Sequence, residues 1–411
     1  MNIPSLLTLP NGLTLAAYEN PTSPTEILSG LIPAGAMDEV QIQRGVAGLT
    51  ASLVARGTTS HAYDVLNEAI EGVGAGIGFW SGIHNTGFST KALREDFPDM
   101  VRLLGTMLRE PTFPADHLER IRAQRLTGLR EREQNPGAVA DLLFTQALYP
   151  PDHPYHYDPS GTIETISGIQ RDDIAAFHKA QYAPTGGYIM MVGALPAAEA
   201  LALAAEVFGD WAGGEPKIRV IPSVDSKGTT VEQKIVGKQQ SSLIYGVATI
   251  PRTHPDFMPL QLANMVLGVF GMMGRIGKVV RDEMGLAYSA RSGLEGTKGQ
   301  GAWSATAGVA PDKVAQAVAA IQAEWLRLGQ ELVSDEELND CKTLLKGSLP
   351  LRLETNEGLA RTWLDIIYYD LGLGYLDNYA KRVDAITAED ILRVTHQYFD
   401  IEKAVLAVAG P

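Results

Sequence analysis

An internal repeat constrains this chain more than any other feature. The stretch "ISGIQRDDIAAFHKAQYAPTGGYIMMVGAL" (residues 166–195) and the closing "VDAITAEDILRVTHQYFDIEKAVLAVAGP" (383–411) follow one plan. Each has an Ile, a polar helix start, Asp-Ile, a helix ending in Gln-Tyr, and an apolar strand closing near Gly. Ile169, Asp173, Ile174 and Gly193 match Ile386, Asp390, Ile391 and Gly410 at one constant offset. A second match lies upstream, where "FPADHLERIRAQRL" (113–126) parallels "VSDEELNDCKTLL" (333–345), both capped helix starts. Two halves of similar length therefore share one design. The stretch 209–230, "GDWAGGEPKIRVIPSVDSKGTT", is rich in Gly, Pro and Ser and has no helical period, so it reads as a linker. The expected division is an N-terminal domain over 1–212, a linker over 213–230 and a C-terminal domain over 231–411.

Apolar periodicity fills in each half. Strands are expected at 13–18, 26–32, 75–80, 86–92 and 188–192, with helices at 45–56, 62–73, 96–109, 114–135, 138–148 and 171–178. The second half repeats the order, with strands at 241–248, 288–294, 303–309 and 404–409 and helices at 257–268 and 276–283 among others. Hairpins beside runs of helices predict α+β halves, each a mostly antiparallel sheet with helices on one face.

Composition excludes several classes. A net charge of −14 argues against nucleic acid, whose binding needs clustered Lys and Arg, and against an anionic membrane surface. The N-terminus lacks a signal-peptide pattern and no run reaches the roughly 20 apolar residues of a membrane span, so a cytoplasmic protein without membrane contact is expected. The single cysteine, Cys341, falls in an amphipathic helix and reads as a buried, inert thiol. One cluster, "PPDHPYHYDP", gathers Asp152, His153, His156 and Asp158. Such groups can bind metal, but the flanking prolines point to a rigid turn.

Four stretches carry a resemblance to a known family: "GVAGLTASLVARGTT" from Gly45, "REQNPGAVADLLFTQALYPPDHPY", "RDEMGLAYS", and the two Gln-Tyr helix ends. Together they resemble the pitrilysin/insulinase-type zinc peptidases, relatives of the processing peptidases, over nearly the whole chain. The resemblance implies two similar α+β halves joined by a linker and facing across a chamber. Catalytic members write the first stretch as Gly-x-Ala-His-x-x-Glu-His-x-x-x-x-Gly-Thr. Two His four apart share one helical face and hold Zn²⁺, while the Glu deprotonates the bound water, whose pKa falls from about 15.7 to about 7. Here Gly45, Ala47, Gly57 and Thr58 keep the frame, but the ligand positions are Gly48 and Ser52 and the base position is Ala51. The family's third ligand, a Glu, corresponds to Thr127 or Gly128. No metal bound by this chain is expected.

The resemblance further implies an Arg and a Tyr, seven apart, that stabilise the oxyanion of the scissile amide. Arg281 and Tyr288 match them within "RIGKVVRDEMGLAYSARSG", with Arg281 near a helix end and Tyr288 at a strand start. Peptide recognition in the family uses an edge strand that pairs with extended substrate. The matching segment is "GVGAGIGFWSG", with Gly76 and Gly78 permitting close approach and Phe79 and Trp80 offering apolar surface. The Asn-Ala step usual in that strand is missing. These residues imply a non-catalytic subunit that lends Arg281 and Tyr288 to the zinc of a homologous, peptide-cleaving partner. The alternatives are a structural or peptide-binding homodimer, and a metallopeptidase built on the Asp152–Asp158 cluster.

Overall fold

A computed structural model describes residues 2–215, 217 and 219–411. Pro216 and Ile218, inside the expected linker, lie outside the described residues.

The first half runs β1 (Ser5–Thr8), β2 (Thr14–Glu19), β3 (Thr25–Ile32), α1 (Val46–Leu53), α2 (Tyr63–Glu71), β4 (Gly76–Ser81) and β5 (Thr86–Leu93). It continues through α3 (Phe97–Arg109), α4 (Ala115–Glu133), α5 (Pro136–Leu148), α6 (Ile163–Gly168), α7 (Arg171–Gln181), β6 (Tyr188–Gly193) and α8 (Ala197–Phe208). The second half runs β7 (Thr229–Lys234), β8 (Ser241–Ala248), α9 (Phe257–Gly268), α10 (Phe270–Ile276), a π-helical turn at Gly277–Glu283, β9 (Ala287–Leu294) and β10 (Ala302–Val309). Then follow α11 (Val314–Leu328), α12 (Asp335–Arg352), α13 (Asn356–Tyr368), α14 (Tyr379–Asp384), α15 (Ala388–Tyr398) and β11 (Val405–Gly410).

The fold is α+β, with one mostly antiparallel sheet per half. One sheet has the order β1-β2-β6-β3-β5-β4 and the other β7-β11-β8-β10-β9. In each, the first and last strands of the repeated unit pair in parallel (β2 with β6, β7 with β11), and every other pairing is antiparallel. The strands therefore correspond one to one, with β1 added to the first sheet. The Gln-Tyr repeat lies where α7 and α15 end and the chain turns into the parallel strand of each sheet. Capping fixes the matching helix starts: Thr387 bonds Asp390 reciprocally, and Gln170 N–H donates to Asp173.

Two compact units emerge, and neither is continuous in sequence. One contains Met1–Leu129, Asp158–Arg219 and Pro350–Gly374, the other Arg130–Tyr157, Val220–Leu349 and Tyr375–Pro411. Thus α5, from the first half, packs on β11, β8 and β7, while α13, from the second, packs on β6 and β3. Asn135 caps α5 by accepting from the Gly137 and Ala138 N–H groups, and Pro136 opens the helix where no donor is needed.

In the first unit Leu28, Ile32, Phe88, Ile189 and Met191 form one face of the sheet, packed with Leu49, Leu104 and Ala204 of the helices α1, α3 and α8. Helix α13 lies on the opposite face, where Tyr18 meets Trp363 and Tyr188 meets Tyr368 at ring separations of 6.3 and 6.2 Å. In the second unit Trp303, Trp325, Phe399 and Tyr245 form an aromatic core, with Trp325 stacked on Phe399 at 4.3 Å.

The expected linker is tied down where it is described. Lys217 Nζ donates to Pro33 O at 2.6 Å, and Val224 N–H donates to Gln300 Oε1 at 2.6 Å. Its last residues enter β7, an exposed polar edge strand.

Candidate functional site

The site is built around α1. Gly45 precedes the helix at φ +94°, a left-handed conformation that suits glycine, and a Cβ there would lie 2.5 Å from Ile166 Cδ1. The Glu39 carboxylate accepts from the N–H groups of Gly45 (3.0 Å) and Ala47 (2.8 Å), an acidic anchor at the positive end of the helix dipole. Burial pushes the Glu39 carboxyl up to about 7, against those two hydrogen bonds and the nearby Arg44.

Gly48 and Ser52 share one helical face. The Ser52 hydroxyl donates back to Gly48 O at 2.8 Å. From α4, Arg125 reaches across, and its Nη2 donates to Gly48 O (3.0 Å) and Ser52 Oγ (3.1 Å). A Cβ added at Gly48 would sit 3.1 Å from Arg125 Nη1. Ala51 is buried at 3% exposure. Burial lowers the affinity of Arg125 for its proton, while Asp158 and Glu39 raise it. Thr127 is exposed and donates to Ala123 O within its own helix, and a side chain at Gly128 would enter open space. Arg125 and Glu39 were missed by the sequence reading. Arg125 carries no local signal because its partners lie 73 and 77 positions away, and Glu39 sits six and eight residues before the N–H groups it anchors, outside the usual capping spacing.

Beside α1 runs β4, an outer strand of its sheet, with which α1 packs. Gly76, Gly78 and Trp80 line a cavity of about 760 Å³ on the α13 face of the sheet. Its walls include Ile27, Leu31 and Leu364, and its rim carries the Lys91–Glu357 ion pair at 2.5 Å, Arg361 and Asp365. The Trp80 indole covers Gly87, its cross-strand neighbour, so that a Cβ there would fall 2.1 Å from the ring. Phe79 points the other way and packs against the core. The structure thus brings Gly76, Gly78 and Trp80 together and places Phe79 elsewhere.

In the second unit Arg281 lies in the π-helical turn and Tyr288 near the start of β9, the outer strand that corresponds to β4. Arg281 Nε is 3.4 Å from Asp282 Oδ1. Tyr288 is 92% exposed. Nearby, Arg275 holds Glu337 through paired contacts of 2.8 and 2.7 Å, fixing α10 to α12.

The histidine cluster is a turn. His153 is 1% exposed, its Nδ1 accepts from Tyr155 N–H, and its Nε2 therefore donates to Pro222 O at 3.1 Å. His156 Nδ1 bonds Tyr149 O at 2.6 Å, and Asp158 accepts from Ser160 N–H at 2.7 Å. Cys341 is buried, which with nearby Glu337 and Asp340 pushes its thiol up to about 12.

Two family models match the chain. Residues 15–150 match "Insulinase (Peptidase family M16)" and residues 168–345 match "Peptidase M16 inactive domain". The chain belongs to the M16, or pitrilysin/insulinase, peptidase family. This M16 chain is 24% identical over 413 residues to an uncharacterized zinc protease of Mycobacterium leprae, covering 98% of this chain and 91% of that protein. It is 25% identical over 425 residues to the mitochondrial-processing peptidase subunit beta of Blastocladiella emersonii, covering 100% and 90%. A crystal structure of a peptidase M16 inactive domain from Pseudomonas fluorescens superposes with a TM-score of 0.93 at 26% identity, covering 99% of this chain and 98% of that one.

The family's metal does not fit at α1. Gly48 and Ala51 offer no side-chain donor, the Ser52 hydroxyl is engaged on both sides, and a guanidinium cation stands against the same face. Among the described residues no group of three His, Cys, Asp or Glu side chains could hold a metal ion, and no helix is long and apolar enough to cross a membrane.

Proposed function

We propose that this M16 chain is the non-catalytic, complementing subunit of a zinc metallopeptidase. Its partner is a homologous chain with an intact His-x-x-Glu-His helix, which supplies the metal that activates water. Arg281 and Tyr288 of this chain donate hydrogen bonds to the oxyanion that develops on the scissile amide. The observation that supports this reading is an asymmetry. The metal face of α1 has become Gly48, Ala51 and Ser52 closed by Arg125, whereas Arg281 and Tyr288 persist at their spacing, with Tyr288 exposed.

Peptide would be held along the outer edge of β4 by main-chain hydrogen bonds, with side chains entering the cavity beside Trp80. The family relative named as a processing-peptidase subunit is consistent with such a two-chain enzyme. Assembly takes place in the cytoplasm.

The test is reconstitution with a zinc-bearing M16 partner. Peptide cleavage is expected from the mixture and from neither chain alone. Arg281→Ala and Tyr288→Phe should each lower kcat by about 10²–10³ without dissociating the complex, the size seen for loss of an oxyanion donor. Full activity of the Arg281→Ala complex would remove the proposal. A stable homodimer that changes no partner's activity would favour a peptide-binding assembly without catalysis.

A further inference from the structure

Strand register shapes the floor of the Trp80 cavity. Three cross-strand rows run over β4, β5 and β3 on the α13 face: Gly76, Lys91 and Ile27; Gly78, Ser89 and Ser29; Trp80, Gly87 and Leu31. The outer two rows carry bulk, the Lys91–Glu357 ion pair in one and the Trp80 indole over Gly87 in the other. The middle row carries nothing larger than a hydroxymethyl group. It forms a trough that opens at the free edge of β4, with Leu364 of α13 in its wall. A Cβ at Gly78 would meet nothing nearer than Ser89 Oγ, at 3.8 Å. Among the described residues the Ser29 and Ser89 hydroxyls have no hydrogen-bond partner, and neither oxygen is sealed from solvent.

We propose that this trough is a subsite for a tyrosine side chain of a bound peptide, with Ser89 as the residue that recognises the phenol. It rests on the reading that peptide pairs with the outer edge of β4. Length selects first. A strand added to that edge lies two strand spacings, about 9.6 Å, from β5. A tyrosine opposite Gly78 spans roughly 6.5 Å from Cα to hydroxyl, which leaves about 3 Å to Ser89, a hydrogen-bond length. Gln and Glu are too short to close that gap. Polarity selects next: a phenylalanine ring would strip water from the Ser89 hydroxyl and return no partner, whereas a phenol replaces it. Lysine spans the gap too, but its stem gives up more conformational freedom than a two-torsion tyrosine. A ring over Gly78 lies one row, about 7 Å along the strand, from Trp80, within range of an edge-on aromatic contact.

Calorimetric titration of the intact chain tests this with four N-acetylated hexapeptide amides of alternating Thr and Val, identical but for Tyr, Phe, Lys or Ala at the third position. The Tyr peptide should bind tenfold or more tighter than each of the others. Ser89→Ala should bring it down to the Phe peptide and leave the Ala peptide unchanged. Gly78→Val, which fills the trough without a clash, should erase the preference as well and guards against misfolding of the first variant. Backbone N-methylation of the Ala peptide reports the edge itself and should weaken its binding. If no peptide binds, or N-methylation changes nothing, the edge reading fails and the subsite with it. If the Ala peptide binds through its backbone while the Phe or Lys peptide matches Tyr, or if the preference survives Ser89→Ala, the tyrosine subsite alone is overturned.

Discussion

Rebuilding the ligands on α1 should not restore a zinc site while Arg125 remains. The perturbation is the triple variant Gly48→His, Ala51→Glu, Ser52→His. In the structure a Cβ at Gly48 already lies 3.1 and 3.2 Å from the Arg125 nitrogens, so an imidazole there must share its space with the guanidinium. A dication held about 4 Å from that unit charge, at an effective dielectric of about 20, is opposed by about 8 kcal/mol. Zinc sites in folded proteins are worth about 10–16 kcal/mol, so a mid-range site would retain about 5 kcal/mol, which is close to millimolar affinity. Moving the guanidinium aside would cost its charged hydrogen bond to Gly48 O, about 1.5–3 kcal/mol, and would still leave the metal with two imidazoles and no third protein ligand. Adding Arg125→Glu replaces the repulsion by a third ligand. Metal content after gel filtration in zinc-free buffer is the assay. Less than a tenth of an equivalent is expected for the triple variant, and close to one for the quadruple variant, with a higher Tm in zinc. One tightly held zinc in the triple variant would refute the reasoning, because the guanidinium would then be no obstacle.

Other expectations concern the frame of the molecule. Glu39 has its carboxyl raised from an ordinary 4.5 to about 7, so the folded chain holds that proton more tightly than the unfolded one. Its contribution to stability is full below pH 4.5 and is lost as pH rises through 7, by about 3 kcal/mol in all; chemical denaturation of Glu39→Gln across pH 4 to 8 should lack that decline. Asn264 Oδ1 accepts from Trp303 Nε1 at 3.0 Å and from Ser292 Oγ at 2.7 Å, and Ser292 can turn to Asn264 O at 3.2 Å while the indole cannot. Asn264→Leu should therefore cost about 1–3 kcal/mol in denaturant titration, and little beyond Trp303→Phe when the two are combined. Gly87→Val would drive the Trp80 indole off the sheet, shifting its emission to the red relative to a Trp80→Phe control, at a cost of about 1–3 kcal/mol.

Much of the fold was legible in the sequence. The strand at 241–248 and the helix at 257–268 coincide with β8 and α9, because unbroken apolar runs and clear stops leave little latitude. Strand β7, "TTVEQK", is not among the expected strands and only its first two residues fall in the expected linker, since a polar, exposed edge strand has no buried face to leave a pattern. Four-residue β1 escaped for the same reason, and the Ala-rich α8 was passed over. That Gly48, Ala51 and Ser52 offer no metal ligand set is legible in the sequence, but not the guanidinium that closes over them. Arg125 and Gly48 lie on separate helices, 77 positions apart, and only packing brings them together. Periodicity also reveals that α5 and α13 have an apolar face without saying which sheet will receive it.

That traffic of α5 and α13 has a practical outcome. A protein cut once between its two sheets would ordinarily yield two fragments, each able to stand alone. Here a nick near Arg219 would leave each fragment holding a helix that the other's sheet requires. Residues 1–219 and 220–411 made separately should stay incompletely folded and recover native structure only on mixing, so the gene can be divided at that point but its product cannot be shortened there.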